Sequence, residues 1–140
     1  LRNTIGCILA ILLGTISVLS IEYVGHSLFP GVEALQEGSH ENTSANYLLT
    51  APKAALCFIL LAHSFGSIVA GFTIGEVAKT WKKILCLGVG IIFSTIGLIN
   101  ILSIRHPLWF SIIDLASYLP ACFLGLALAP SKELKAVINE

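Results

Sequence analysis

Two ionisable side chains stand near the end of the first apolar segment of this sequence. Glu22 and His26 are four residues apart, just before the segment breaks at Pro30. Residues at this spacing lie on one face of a helix, so the carboxylate and the imidazole would point in the same direction. Because imidazole changes its charge near neutral pH, the pair could hold one proton or one cation.

Further candidate residues lie in the later apolar segments. His63 is in the second segment, His106 precedes the fourth, and Asp114 lies within the fourth. Imidazole and carboxylate groups together suit a divalent metal such as zinc. The candidate metal or proton site therefore consists of Glu22, His26, His63, His106 and Asp114, with Asn100, Arg105 and Tyr118 as supporting polar residues.

The composition is that of an integral membrane protein. Of the 140 residues, 56% are hydrophobic and 11% are charged, and the mean hydropathy is +0.90, far above that of a soluble domain. Basic and acidic residues number eight each, so the chain has no basic surface for nucleic acid, and we expect no nucleic-acid partner. The length predicts a single domain covering residues 1–140.

Four apolar segments predict an all-α, polytopic bundle of four transmembrane helices. Each segment is long enough to cross a hydrocarbon core of about 30 Å at about 1.5 Å per residue. The predicted helices cover residues 3–27, 48–75, 81–103 and 107–129, and a polar outer loop covers residues 28–47.

Basic residues near the segment ends predict the orientation of the bundle. One side carries Arg2, Lys79, Lys82, Lys83, Lys132 and Lys135, and the other carries Lys53 and Arg105. Cytoplasmic loops are enriched in lysine and arginine, so both termini are predicted to be cytoplasmic. The loop over residues 28–47 then lies outside.

This orientation brings most of the candidate residues to the outer half of the bundle. Glu22 and His26 end the first helix there, and His106 opens the fourth. Asp114 is predicted about 10 Å deeper, at about 1.5 Å per residue, and His63 deeper still, near the midplane. An ionisable residue at the membrane centre costs at least about 2.5–3.5 kcal/mol, so these two residues need partners or water.

Small residues form a stripe along the second helix. Gly66, Ala70, Gly71 and Gly75 recur at helical spacing. Residues without bulky side chains allow another helix to approach closely. His63 falls on the same stripe, so we expect its side chain to face the bundle interior and not lipid.

Each candidate also has a purely structural interpretation. The three residues nearest the interface could be solvated or paired with Arg105. His63 could be a neutral histidine bonded to a helix carbonyl or to Ser67. Asp114 could form a structural hydrogen bond to Tyr118 or to another helix.

Three short motifs are spread over the chain. They are Glu-x-x-x-His in the first segment, Ala-His-x-x-Gly from Ala62 to Gly66, and His-Pro-x-Trp-Phe from His106 to Phe110. In these motifs, and over nearly its whole length, the sequence resembles a family of small uncharacterised four-helix bacterial inner-membrane proteins. The resemblance implies a multi-pass protein of the bacterial inner membrane, and it implies no particular activity.

Three classes of function follow from these residues. The first is a small-transporter-like membrane protein that binds a cation or proton and works as a homo-oligomer. The second is an accessory or assembly subunit that packs through its glycine faces against a partner in a larger membrane complex. The third is an intramembrane metal hydrolase, to which Glu-x-x-x-His is a poor match because H-E-x-x-H needs two histidines. We rank them in this order, which favours a non-enzymatic role with the lipid bilayer and another membrane chain as partners.

The orientation can be tested by labelling single cysteines introduced into a chain whose four natural cysteines are replaced by alanine. A cysteine within residues 38–46 should react from outside with a thiol reagent that cannot cross the membrane, whereas one at Lys132 should not. The opposite labelling pattern would reverse the predicted orientation.

Overall fold

Over the residues that the structure describes, the protein is an all-α bundle of four helices, each long and apolar enough to cross a membrane. The computed structural model describes residues 1–29 and 51–130. The helices are α1 (Arg2–Leu28), α2 (Lys53–Val77), α3 (Lys82–Ser103) and α4 (Leu108–Leu128). The predicted fold class is thereby confirmed. Most of the predicted outer loop and residues 48–50 of the predicted second helix lie outside the described residues, and the orientation stays a prediction.

The start of α2 differs from its predicted position. The helix begins at Lys53 because Pro52 has an extended backbone, with φ −54° and ψ 134°. Its carbonyl accepts hydrogen bonds from Ala55 at 2.9 Å and from Leu56 at 3.3 Å. Proline has no backbone N–H to give to the helix, so it is well tolerated at this boundary.

Helix α2 is the centre of the bundle. It packs extensively against α1 on one side and α4 on the other, and α4 in turn packs against α3. Contacts between α1 and α3 are few. The core where α2, α3 and α4 meet includes Ile74, Val89 and the free thiols of Cys86 and Cys122, whose sulfur atoms are 2.9 Å apart.

Glycines allow the backbones of these helices to touch. A Cβ at Gly66 would meet Val18 and the carbonyl of Gly14 on α1. On the opposite side of α2, a Cβ at Gly71 would overlap with the carbonyl of Cys122 on α4. Lipid offers no hydrophobic drive between helices, so this close van der Waals packing is a main source of their association.

Basic side chains bind the backbone carbonyl groups at the C-terminal end of α2. Arg2 donates to the carbonyl of Val77 from Nε at 3.3 Å and from one terminal nitrogen at 3.2 Å. Lys82 donates to the carbonyl of Gly75. The last carbonyls of a helix have no partner within the helix, so these contacts satisfy them and tie α1 and α3 to α2.

The glycine contacts predict a contrast between two glycine-to-alanine variants. Gly71→Ala forces α2 away from α4 and should cost about 1–3 kcal/mol of stability, as overpacking typically does. Gly88 on α3 has open space where a Cβ would stand, so Gly88→Ala should be neutral or stabilise by up to about 1 kcal/mol through helix propensity. Thermal unfolding in the same detergent measures both. Equal melting temperatures would mean that the α2–α4 contact is looser than described.

Candidate functional site

The centre of the candidate site is His63, whose imidazole lies between carboxylates from two other helices. Its Nδ1 atom is 2.7 Å from Oδ1 of Asp114 on α4, and its Nε2 atom is 3.3 Å from Oε1 of Glu22 on α1. His63 is 8% exposed and Asp114 is fully buried. Three of the predicted residues therefore form one chain of contacts across three helices.

Tyr118 contacts two members of this chain. It stands one helical turn after Asp114, and its hydroxyl donates to Oδ2 of Asp114 at 3.1 Å. The same hydroxyl oxygen is 2.9 Å from Nδ1 of His63, and the two rings stack with centroids 5.6 Å apart. Tyr118 is thus a full member of the cluster, which we define as Glu22, His63, Asp114 and Tyr118.

His63 lies between the two carboxylates. Because α2 begins at Lys53, His63 is about 15 Å from the helix start at about 1.5 Å per residue. Its imidazole contacts both Glu22 and Asp114, and its position near the membrane midplane stays a prediction.

Small residues around the cluster allow it to form. Ser67 donates to the carbonyl of His63 at 2.9 Å and so needs no partner elsewhere. Gly66 brings α1 close enough for Glu22 to reach the imidazole. On α3, a Cβ at Gly97 would overlap with the ring of Tyr118, so glycine there lets α3 pack over the cluster.

The two contacts of His63 require a proton beyond that of a neutral imidazole. A neutral ring has one N–H and can donate to only one ionised carboxylate. An imidazolium donates to both, and the same number of protons is reached if Glu22 is protonated and donates to Nε2. With one proton more than the neutral imidazole, Glu22, His63 and Asp114 have a formal net charge of −1 in either form.

A cavity of about 620 Å³ reaches one side of the cluster. Glu22, His63 and Tyr118 line it, whereas Asp114 lies behind them. The side chain of Glu22 is 28% exposed and that of Asp114 is 1% exposed. Glu22 is therefore the more accessible carboxylate, while Asp114 contacts the imidazole from the buried side.

The remaining candidates, except Arg105, line the cavity outside the chain of contacts. His26, Asn100 and His106 contribute to its wall, and Arg105 is exposed. Nδ1 of His26 is buried and has no hydrogen-bond partner among the described residues. The spacing along α1 predicts a pairing of Glu22 with His26, whereas the structure places the Glu22 carboxylate against His63 on α2.

His106 is held at the start of α4 by its own surroundings. Its Nδ1–H donates to the carbonyl of Ile104 at 2.7 Å, and its ring stacks on Phe110 with centroids 4.9 Å apart. Burial lowers the pKa of the imidazole below its ordinary value of 6.5, and this effect exceeds the opposing effect of the hydrogen bond.

The geometry does not favour the zinc hypothesis. Over residues 1–29 and 51–130, no group of three or more histidine, cysteine, aspartate or glutamate side chains is arranged to hold a metal ion. The two ring nitrogens of His63 are also poorly placed to bind a metal ion. A ligand nitrogen needs a free lone pair, and both of its ring nitrogens face carboxylate oxygens.

Two aromatic residues of the cavity wall were not anticipated. Phe58 on α2 and Phe93 on α3 border the cavity beside Glu22 and His63. In the sequence each is a single aromatic residue within an apolar helix, which is also the pattern of a lipid-facing position. No signal in the sequence distinguishes the two cases.

Comparisons with known proteins add no relatives to this description. No family model matches the chain, and no curated protein or solved structure is significantly similar to it.

The lowered pKa of His106 predicts a loss of stability in acid. The folded state binds a proton at His106 less readily than the unfolded state, so stability should fall as the pH drops below about 6.5 and through the folded-state pKa. His106→Phe keeps an aromatic ring against Phe110 but cannot be protonated, so its melting temperature should fall less over the same pH range. Identical acid-side slopes for wild type and variant would contradict this prediction.

Proposed function

We propose that this chain is a small-transporter-like membrane protein that binds one proton between Glu22, His63 and Asp114. The observation that supports the proposal is the position of His63, with each ring nitrogen facing a carboxylate from a different helix. Such an arrangement holds a proton with hydrogen bonds on both sides, as a proton-binding site in a membrane must.

The cost of burying these groups also supports a functional site. Asp114 and His63 are 0% and 8% exposed in helices that can span a membrane, where ionisable residues are costly and most often functional. A purely structural hydrogen bond between α2 and α4 would need Asp114 and His63 alone. Glu22 adds a second carboxylate that faces the cavity, which a structural role does not require.

The roles of the residues follow from their exposure. Glu22 exchanges the proton with the cavity because its side chain is the more exposed carboxylate. His63 carries the proton, and Asp114, oriented by Tyr118, stabilises the positive charge on the imidazole. These residues bind and move a proton and require no metal ion.

The membrane and the orientation follow from the sequence. We place the protein in the bacterial inner membrane with both termini in the cytoplasm, so that the cavity lies in the outer half. A bundle of this size has little room for a private pathway, and we therefore propose that it works as a homo-oligomer. The alternative is an accessory subunit in a larger membrane complex, for which the cluster would only hold helices together.

The protonation of His63 can be measured by nitrogen NMR on protein labelled with ¹⁵N-histidine in lipid nanodiscs. The chain has four histidines, so replacing His63 by glutamine assigns its signals. In the wild type both ring nitrogens of His63 should give the signal of an imidazolium. In Asp114→Asn the side chain keeps its shape but loses its charge, and His63 should change to the neutral form.

His26 serves as the internal control, since it lies in the cavity wall, which Asp114 does not line, and its signals should be unaffected by Asp114→Asn. Glu22→Gln should likewise change the protonation of His63, because it removes the carboxylate on the cavity side. If the His63 signals are the same in the wild type and in both variants, the cluster is structural and the accessory-subunit alternative takes first place.

A further inference from the structure

The cavity beside the cluster has apolar walls and one charged end. Its lining comes mainly from α1, α2 and α3, with Tyr118 from α4, and most of the residues along it are aliphatic or aromatic. Its volume of about 620 Å³ lies within the range of about 300–1,000 Å³ that is usual for small-molecule sites. The cavity is therefore large enough for an organic molecule, and not only for water on its way to Glu22.

One wall of the cavity lies between α1 and α3. Leu19 on α1 and Ile96 on α3 both line the cavity and are 59% and 54% exposed. The two helices share few contacts with each other, since α1 packs mainly on α2 and α3 mainly on α4. Among the described helices, α1 and α3 are therefore the pair between which a ligand would have to separate the fewest contacts.

The charge of the cluster selects the sign of such a molecule. With one proton bound, Glu22, His63 and Asp114 have a net charge of −1, and Glu22 is the carboxylate that faces the cavity. In a medium of low dielectric constant this charge attracts a cation and repels an anion far more strongly than in water. Phe58 and Phe93 also line the cavity, and the face of an aromatic ring attracts a cation.

We propose that the cavity binds a hydrophobic organic cation that enters from the bilayer between α1 and α3 and pairs its charge with Glu22. The proposal rests on the proposed function in one respect, namely that Glu22 keeps its negative charge while His63 carries the proton. The apolar body of the ligand replaces lipid or water against the cavity wall, and the cationic group lies beside Glu22.

The test uses two probes of the same shape and opposite charge, tetraphenylphosphonium and tetraphenylborate. Binding of each labelled probe to the full chain in zwitterionic nanodiscs is measured by equilibrium dialysis, with empty nanodiscs subtracted. The cation should bind saturably to the wild type and the anion should not. Glu22→Gln should weaken binding of the cation by about tenfold or more, which corresponds to about 1.4 kcal/mol or more.

A matched pair of variants tests the opening between α1 and α3. Leu19→Trp fills the cavity wall at the opening and should weaken binding of the cation. Leu12→Trp is the control, because Leu12 is also on α1 and is 53% exposed but does not line the cavity. Equal effects of the two variants would contradict entry between α1 and α3.

The outcomes separate this proposal from the proposed function. If both probes bind equally, or if Glu22→Gln leaves binding of the cation unchanged, the cavity takes neutral or acyl-chain occupants and the proposal is wrong. If the cation fails to bind while His63 still gives an imidazolium signal in the same nanodiscs, the ligand class is wrong and the proton site stands. If His63 is neutral in the wild type and in both variants, it does not carry the proton, and both the proposed role of His63 and the pairing of a cation with an ionised Glu22 are wrong.

Discussion

The structure depends on one interaction, the imidazole of His63 held between Asp114 and Glu22. An imidazolium, or a carboxylate without a partner, is costly in hydrocarbon because no water is present to solvate it. The cost is offset only when all three groups are within hydrogen-bond distance at once. Each group comes from a different helix, so α1, α2 and α4 must keep fixed positions relative to one another, and the packing of the bundle can be understood from that requirement.

Small residues meet this requirement at the places where the helices approach each other. Gly66 sets the distance between α2 and α1, Gly71 sets the distance between α2 and α4, and Gly97 makes room on α3 for Tyr118. Helix α2 packs closely against both α1 and α4, so its residue His63 can contact a carboxylate from each of them. Helix α3 contributes no ionisable residue to the cluster and packs mainly on α4, which leaves the gap toward α1 and, with it, the cavity.

The two carboxylates of the cluster differ in their exposure to solvent. Asp114 is buried, receives the hydroxyl of Tyr118 and holds the imidazole from behind. Glu22 faces the cavity and is the more exposed of the two. In the function that we propose, a proton therefore reaches Glu22 first. A purely structural contact between α2 and α4 would not need this difference between the two carboxylates.

The sequence alone determined the class and the elements of this protein. Its hydropathy predicted four membrane-spanning helices, and the helix boundaries agree closely except at the start of α2, where the extended backbone of Pro52 moves the first helical residue to Lys53. Helical spacing also identified Asp114, His63 and the glycine stripe as residues to examine, because ionisable and small residues stand out in an apolar helix.

Only the tertiary structure decided which of these residues meet. The spacing along α1 predicts that Glu22 pairs with His26, whereas in the packed bundle Glu22 contacts His63. His26 and His106 lie in the cavity wall. The gap between α1 and α3 and the aromatic wall of the cavity likewise have no signal in the sequence. The physical reason is that periodicity defines the faces of a single helix, whereas the neighbour of each face depends on how closely small residues allow particular helix pairs to pack.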